Sequence, residues 1–442
     1  MIDQQSLIDL NILPGPESRV CLQTKLDYCQ TKGGKAHLQS LLKLENLDYI
    51  VIRERQACIQ YITTHFTNWR LPISEDNVFY LQHYLGAAYT GLRAEGVFRN
   101  TLMAYKELWF NKAHYYFVLS GVKMALQVVQ DITLLCRAVY NAAMPACLKT
   151  KLQAAQEIVA SLGVGEATCQ RFLQGSFNVQ ELFNIDHLLR ARHSAAIQQL
   201  LNIYYELEVY YSLACAHRDM ELRFPTLQQN GTDIHLQELR HPLVNHCHAN
   251  TIQTNGKNMI LITGPNMSGK STFMKSVGMA FVMAYLGIGV AAAEATLPVM
   301  DIIITCIDIK DDIEKGYSYF FSEVKRMRSI AEKIHTGKRV IVIGDELFKG
   351  TNVQDALDCT AMVLEGFLQH AHNFYFIATH FTDIAARFQT APACYPVCFD
   401  GTIADNEVHF NYRLQPGISQ LRVGSLILQQ QQVVALLTAS AF

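Results

Sequence analysis

The sequence predicts two kinds of fold in one chain: an all-helical part, and an α/β part built on a mostly parallel sheet. From about residue 21 to about residue 223, apolar residues recur at helical spacing with almost no strand signal. Beyond that point four short apolar runs appear, separated mostly by helical segments, at 260–263, 302–306, 340–343 and 374–378. Buried strands that alternate with helices are typical of a parallel sheet covered on both faces.

The length of 442 residues predicts two or three domains rather than one core. Residues 1–19, which contain the breaker cluster Pro14-Gly15-Pro16, are predicted to be an N-terminal leader. Residues 20–224 form the predicted helical domain and residues 225–415 the α/β domain. A Pro416-Gly417 turn then opens a short helical tail over 416–442.

Composition and charge indicate an ordinary globular protein. Half of the residues are hydrophobic and 17% are charged. The net charge of −2 does not indicate a polyanionic partner. The 12 cysteines are scattered, and Cys394 and Cys398 have no second pair at zinc-ligand spacing. We therefore expect reduced thiols, no metal bound by cysteine and a cytoplasmic location. The most apolar stretch, 277–293, is interrupted by three glycines, so no membrane span is predicted.

The stretch 259–272 matches the phosphate-binding pattern G-x4-G-K-[ST] between an apolar strand and a helical segment. Backbone amides of such a loop surround phosphate oxygens at the positive end of the following helix. Lys270 is placed to reach the β- and γ-phosphates and Ser271 to bind Mg²⁺. The predicted ATP-binding residues are Gly264, Pro265, Asn266, Met267, Ser268, Gly269, Lys270, Ser271 and Thr272.

Two further motifs follow predicted strands. Asp345 and Glu346 end the strand at 340–343, where an Asp can hold Mg²⁺ and the next Glu can polarise the attacking water. His380 follows the strand at 374–378, at the sheet edge where ligands bind in open α/β folds. Taken alone, solvated acids after a strand would explain Asp345 and Glu346 equally well. A lone histidine after a strand is more often a structural residue.

A fourth segment, 310–324, contains an acidic stretch, Gly316 and Ser318 before a helical segment. Ser318 is a good N-cap candidate, which is a sufficient local explanation. An N-cap also exposes amide groups, so a phosphate held by another subunit is the functional alternative.

Together these motifs resemble the ATPase domain of MutS-type DNA mismatch repair proteins. Four segments occur in the family's order and spacing: TGPNMSGKST, DD with G-x-S, DE with GT, and ATHF. The stretch ELRHPLV at 238–244 precedes them. The stretch LDYCQTKGGKAHLQSLL at 26–42 resembles the start of the family's helical core and lever region. The resemblance is strong in the α/β part and weak in the helices.

The resemblance implies an ATPase domain of the ABC type that uses ATP and Mg²⁺. Glu346 would be the general base, His380 the switch histidine, and Lys270, Ser271 and Asp345 the phosphate and Mg²⁺ ligands. Gly316 and Ser318 would reach the nucleotide of a neighbouring subunit, which requires a dimer, expected to be a homodimer. Where the family has an adenine-stacking aromatic, this chain has His246-Cys247-His248.

The chain also departs from the family pattern. The family's F-x-E wedge, which kinks mismatched DNA, has no counterpart before the helical part, and LFKGTN replaces the usual IGRGTS after Glu346. The first hypothesis is an ATP-driven, DNA-binding clamp in mismatch repair or related DNA metabolism. The alternatives are a nucleotide-switched protein that binds a protein or structured RNA, and a degenerate structural relative, against which the intact Lys270, Asp345 and Glu346 speak.

Overall fold

The computed structural model describes residues 1–15, 20–45, 48–87, 105–307, 319–404 and 407–438. Contacts divide the chain into two compact units. One contains Leu26–Ser40 and Glu54–Ala216 and is here called the helical unit. The other, here called the sheet unit, contains Met1–Lys25, Leu41–Arg53 and His217–Phe442. The predicted boundary at 224/225 lies close to this division, and the full set of domain limits stays a prediction.

Helices build the first unit, and some of them extend across its limits. Residues 105–110 are helical, a 3-10 turn spans Phe66–Asn68 and a π turn spans Leu188–Arg192. The longer helices are Lys32–Leu42, Tyr49–Thr64, Glu75–Gly86, Lys112–Val139, Ala146–Ser161, Glu166–Leu173, Val179–His187 and Ser194–Asp219.

The longest helix, Lys112–Val139, forms because its apolar residues lie along one face. Val118, Val122, Ala125 and Val129, three or four residues apart, are all buried. By length and composition alone this helix could cross a membrane. No other helix of the described residues meets those criteria. A buried core helix meets the same criteria, and half of its most apolar stretch is buried in the structure.

Two sheets lie in the second unit. A six-stranded sheet has the order β10-β9-β4-β8-β7-β6, in which only the β9–β10 pair is antiparallel, and a four-stranded mixed sheet has the order β1-β5-β2-β3. The strands are Thr226–Gln228 (β1), His235–Leu239 (β2), Asn250–Gln253 (β3), Met259–Thr263 (β4), Glu294–Pro298 (β5), Ile302–Cys306 (β6), Val340–Asp345 (β7), Phe374–Ala378 (β8), Cys394–Ala404 (β9) and Glu407–Pro416 (β10). The helices are Gln4–Asp9, Leu22–Leu26, Lys270–Tyr285, Tyr319–His335, Val353–Leu368, Thr382–Phe388, Gly424–Gln430 and Val433–Thr438.

The four apolar runs predicted to be buried strands are β4, β6, β7 and β8 of the larger sheet. The side chains of β4, β6 and β8 are buried along their whole length. A continuous apolar run is what a parallel strand covered on both faces requires. The prediction of a helical part followed by a mostly parallel sheet is therefore confirmed at this coarse level.

The amino-terminal residues, predicted as a leader, form part of the sheet unit. Ile2 pairs with Ile303 on β6 in an isolated parallel bridge, and the helix Gln4–Asp9 follows. The buried Ser6 Oγ accepts a hydrogen bond from Thr305 N at 2.8 Å. Asp9 Oδ2 accepts one from Thr305 Oγ1 at 2.6 Å. These side chains cover the outer edge of β6, where another strand would otherwise pair.

Candidate functional site

The carboxyl ends of β4, β8 and β7 bring three of the predicted motifs to one sheet edge. The three strands are parallel neighbours, so the residues that follow them meet at this edge. Glu346 N donates to Ala378 O at 3.0 Å, and Thr379 N donates to Ile262 O at 3.0 Å. These backbone bonds hold the residues after one strand against the end of the next.

The segment between β4 and the helix Lys270–Tyr285 is a tight glycine-rich loop, residues 264–269. Gly264 and Gly269 have φ angles of 144° and 106°, values that favour glycine. A Cβ on Gly264 would also lie 2.4 Å from Phe399 O, so this position has no room for a side chain. The following helix begins without a side-chain cap. Its first amide groups are therefore left for another acceptor.

The Lys270 ammonium group lies inside this loop. Nζ donates to Gly264 O at 2.8 Å and to Pro265 O at 2.9 Å, and the residue is only 5% exposed. Burial lowers the pKa of Lys270, and the negative charges of Asp345 and Glu346 oppose that shift. A buried cation is thus held against the glycine-rich loop, which suits an anionic group such as a phosphate.

Ser271 and Asp345 contact each other directly beside the loop. Ser271 Oγ donates to Asp345 Oδ2 at 2.5 Å. The other carboxylate oxygen, Oδ1, is buried and has no hydrogen-bond partner. Burial raises the pKa of Asp345, and the bond from Ser271 opposes the rise.

This pair fits Mg²⁺ chemically. The ion prefers oxygen ligands and is usually held by one or two protein groups together with waters and substrate phosphates. A hydroxyl next to an unsatisfied carboxylate oxygen supplies two such groups. Within the described part of the chain no cluster of three or more His, Cys, Asp or Glu residues could hold a metal by itself. Waters and the phosphates of a bound nucleotide would supply the other ligands of a Mg²⁺ ion held by this pair.

The side chains of Glu346 and His380 meet beside the ends of β7 and β8. His380 Nε2 lies 2.6 Å from Glu346 Oε1. The hydrogen bond from His380 lowers the pKa of Glu346 below its usual 4.5, although burial opposes the shift. Glu346 also has a positive φ of 54°, which is strained for a residue with a side chain. The backbone is thus turned sharply to place this carboxylate at the sheet edge.

A cavity of about 420 Å³ adjoins these groups. Of the predicted nucleotide residues it is lined by Asn266, Met267, Gly269, Lys270, Ser271, Thr272 and Glu346. Ser268 is fully buried, and its hydroxyl has no hydrogen-bond partner. Gly264, Pro265 and His380 line another cavity, of about 720 Å³. The loop therefore separates two spaces, with Lys270 and Glu346 in the first.

Tyr412 is a site residue that sequence reasoning missed. Its ring stacks on His248 with centroids 5.4 Å apart and an interplanar angle of 18°, and both rings line the first cavity. Asn250 fixes this part of β10, since its Nδ2 donates to Tyr412 O at 3.1 Å and its Oδ1 accepts from Leu414 N at 2.7 Å. No sequence motif surrounds Tyr412, so only the fold shows that it reaches the cavity.

Glu323 is a second missed residue, and it holds the turn after Glu346. Its carboxylate accepts from Lys349 N at 3.2 Å and from Gly350 N at 3.1 Å and is only 3% exposed. Burial raises the pKa of Glu323, and the two amide bonds oppose the rise. The carboxylate thereby fixes the segment that departs from the family pattern. Gly316 and Ser318 lie outside the described residues, so their role in a neighbouring subunit's site stays a prediction.

Comparison with known proteins gives this arrangement a family. A family model described as MutS domain V matches residues 260–439, which include the loop, β6, β7, β8 and the β9–β10 pair. The site and its sheet thus define the class, an α/β domain of the kind found in mismatch repair ATPases. Over residues 260–439 the chain is thus similar to the MutS family.

Curated relatives agree with that assignment. A protein named DNA mismatch repair protein MutS from Listeria welshimeri is 33% identical over 171 residues, which cover 36% of this chain and 19% of the relative. Proteins of the same name are 30% identical over 215 residues in Lysinibacillus sphaericus and 37% over 150 residues in a Thermotoga species. The matched segments span between 18% and 24% of those three relatives.

Proposed function

We propose that this chain binds ATP with Mg²⁺ at the glycine-rich loop and hydrolyses it. The observation that carries the proposal is the convergence of three charged groups on one sheet edge. The Lys270 ammonium group lies inside the loop, and Asp345, the last residue of β7, contacts Ser271. Glu346 follows Asp345 and lines the cavity of about 420 Å³ together with Lys270. A cation for phosphate, an oxygen pair for Mg²⁺ and a carboxylate for water are the groups that this chemistry needs.

Each residue has a separate task. The loop amides and Lys270 would bind the β- and γ-phosphates, which first requires the ammonium group to leave Gly264 O and Pro265 O. Ser271 and Asp345 would hold Mg²⁺, which neutralises phosphate charge when bound. The stacked pair of His248 and Tyr412 offers an aromatic face for the adenine base.

Glu346 would act as the general base. Its lowered pKa keeps it ionised at neutral pH, so it can accept a hydrogen bond from the attacking water and orient that water. His380, which donates to the same carboxylate, would hold Glu346 in place. When Glu346 binds the attacking water, its contact with His380 would change, and His380 would respond to that change. Gly316 and Ser318 of a second copy would complete the site, so the active form would be a homodimer.

The proposed output is a clamp-like change on DNA. ATP drives such a change only if it binds the closed dimer more tightly than the open one. DNA binding is supported by the name of the curated relatives, each called a DNA mismatch repair protein. The alternative, a nucleotide-switched protein that binds a protein or structured RNA, agrees with the net charge of −2.

Replacing Glu346 with Gln tests the hydrolytic mechanism. We expect the rate of ATP hydrolysis to fall by about 100-fold or more, the usual contribution of a general base. Binding of ATP should persist, because Lys270 and the loop remain. The matched control is Glu332→Gln, whose side chain is 63% exposed and pairs with Arg328 on its own helix. An unchanged hydrolysis rate in Glu346→Gln contradicts the assignment.

A binding series distinguishes the two outputs. Gel shifts with homoduplex, mismatched and branched DNA and with structured RNA are measured at several salt concentrations. A DNA-binding clamp gives an affinity that falls steeply as salt rises. Failure to bind any of these nucleic acids at low salt rejects the clamp and favours a protein partner.

A further inference from the structure

Two cysteines far apart in the sequence meet inside the helical unit. Cys58 lies on the helix Tyr49–Thr64 and Cys147 on the helix Ala146–Ser161, 89 positions later. Their Sγ atoms are 2.7 Å apart. A bonded pair of sulfurs lies at about 2.05 Å, so a covalent link needs a movement of well under one ångström. Neither cysteine is part of the proposed ATP site.

The two thiols differ in access and in surroundings. Cys58 is buried, 1% exposed, whereas Cys147 is half-buried at the start of its helix. Cys147 Sγ also contacts Glu54 O at 3.5 Å, which holds it toward Cys58. Burial raises the pKa of Cys58, and the neighbouring Cys147 adds to that rise, so Cys58 stays a protonated thiol.

We propose that Cys58 and Cys147 form a reversible disulfide when the protein meets a hydroperoxide. Cys147 is the thiol that solvent and oxidant reach, and Cys58 is the resolving thiol behind it. The expectation of reduced thiols describes the untreated chain, in which all twelve cysteines are free.

The reaction balances in two steps. With hydrogen peroxide, the Cys147 sulfur attacks one peroxide oxygen and the O–O bond breaks. The departing hydroxide takes the Cys147 thiol proton and leaves as the first water, and the sulfur, which has lost two electrons, becomes a sulfenic acid. The Cys58 sulfur then attacks the Cys147 sulfur; the S–S bond forms and the S–O bond breaks. The departing hydroxide takes the Cys58 proton and leaves as the second water. A dithiol reductant reverses the change by thiol–disulfide exchange.

The link would join two helices across a long stretch of chain. A disulfide that closes a loop of this length restricts the unfolded chain and so stabilises the folded one. The oxidised protein is therefore expected to unfold at a temperature several degrees higher than the reduced protein. Reduction should restore the original unfolding temperature.

The test uses the full, reduced chain treated with hydrogen peroxide and then with a thiol-alkylating reagent. We expect the free thiols to fall from twelve by two, and non-reducing peptide mass spectrometry to find Cys58 linked to Cys147. In Cys58→Ser the link cannot form, so Cys147 should be trapped as a sulfenic acid by dimedone. The matched control is Cys359→Ser, a half-buried cysteine of the sheet unit, which should retain the link.

Two results would overturn the proposal. One is a peroxide-treated wild-type chain in which dimedone labels Cys147 but no linked peptide forms. The other is a Cys147→Ser chain that still loses two thiols at the wild-type rate. Because Cys147 is half-buried, this second variant should fold even if Cys58→Ser does not.

Discussion

Asp345, one of whose carboxylate oxygens has no partner, is expected to lower the stability of the fold while it serves the proposed function. A buried carboxylate costs free energy unless its oxygens are satisfied, and Oδ1 has no protein partner. We expect the nucleotide-free Asp345→Asn protein to be as stable as wild type, or more stable by up to about 1 kcal/mol. The same change should weaken Mg²⁺-dependent ATP binding, because it removes the ionised ligand.

Thermal unfolding with and without ATP and Mg²⁺ measures both effects. Wild type should show a larger shift of its unfolding temperature on adding the nucleotide than the variant does. A nucleotide-free variant that unfolds several degrees below wild type would show that Asp345 has a structural role instead.

The pair of Glu346 and His380 predicts a pH dependence. Since His380 lowers the pKa of Glu346 below 4.5, the pair stabilises the fold above that pH and loses its effect as pH falls through the lower, folded value. We expect His380→Ala to cost about 1 kcal/mol near neutral pH. Denaturant unfolding at several pH values should show this difference shrinking toward zero in acid. A difference that grows in acid would contradict the sign.

Most of the candidate site could be predicted from sequence because its residues lie in short local motifs. Lys270 and Ser271 follow the glycine-rich loop directly, and Asp345 and Glu346 end an apolar strand. Tyr412 could not be predicted, since its place depends on β10 pairing with β9 and on a contact with Asn250, 162 positions earlier in the chain. The contact between Cys58 and Cys147 could not be predicted either, because the two residues are 89 positions apart in the chain.

At the scale of elements, the amino-terminal segment depends on one arginine of the helix Tyr319–His335. Arg326 donates to both carboxylate oxygens of Asp3, at 2.7 and 3.1 Å, and to Ser6 Oγ at 3.0 Å. Its Nε also donates to Thr305 O at 2.8 Å. One side chain thus joins the amino-terminal helix, β6 and a later helix.

Replacing Arg326 with Ala should destabilise the sheet unit. We expect a loss of about 2–3 kcal/mol, because the half-buried Asp3 and the buried Ser6 lose a charged donor. Urea unfolding measures it. The control is Arg328→Ala on the same helix, whose side chain is 79% exposed and should cost under about 1 kcal/mol. Equal losses in the two variants would show that the Asp3 contact is unimportant.

The sequence could not have predicted this element. The breaker cluster after residue 13 shows where a segment ends but not what it packs against. Leu7, Leu10 and Ile12 are buried, and the segment pairs with β6, some three hundred positions later, through the Ile2–Ile303 bridge. By contrast, the strands β4 and β8 could be predicted because their own composition shows that both faces are covered.

For the whole molecule, the proposed composite site predicts ATP-dependent self-association. A Glu346→Gln chain should retain ATP and therefore remain in the closed dimer. Light scattering should then give about twice the chain mass of 49.9 kDa in ATP and Mg²⁺. A Lys270→Met chain, which loses its phosphate contact, is the control and should not respond to ATP. A mass of one chain for Glu346→Gln in saturating ATP would reject the dimer.

Mixing two inactive variants tests whether the second copy supplies part of the site. A Lys270→Met chain lacks its own phosphate contact, and a Ser318→Ala chain lacks the predicted contribution to its neighbour. In a mixed dimer the loop of the Ser318→Ala chain faces an intact Ser318, so one site is complete. Each mixed dimer then has one complete site of two, so the mixture should regain hydrolysis, up to about half of the wild-type rate. If Ser318 acted within its own chain, the mixture would stay as inactive as its parts.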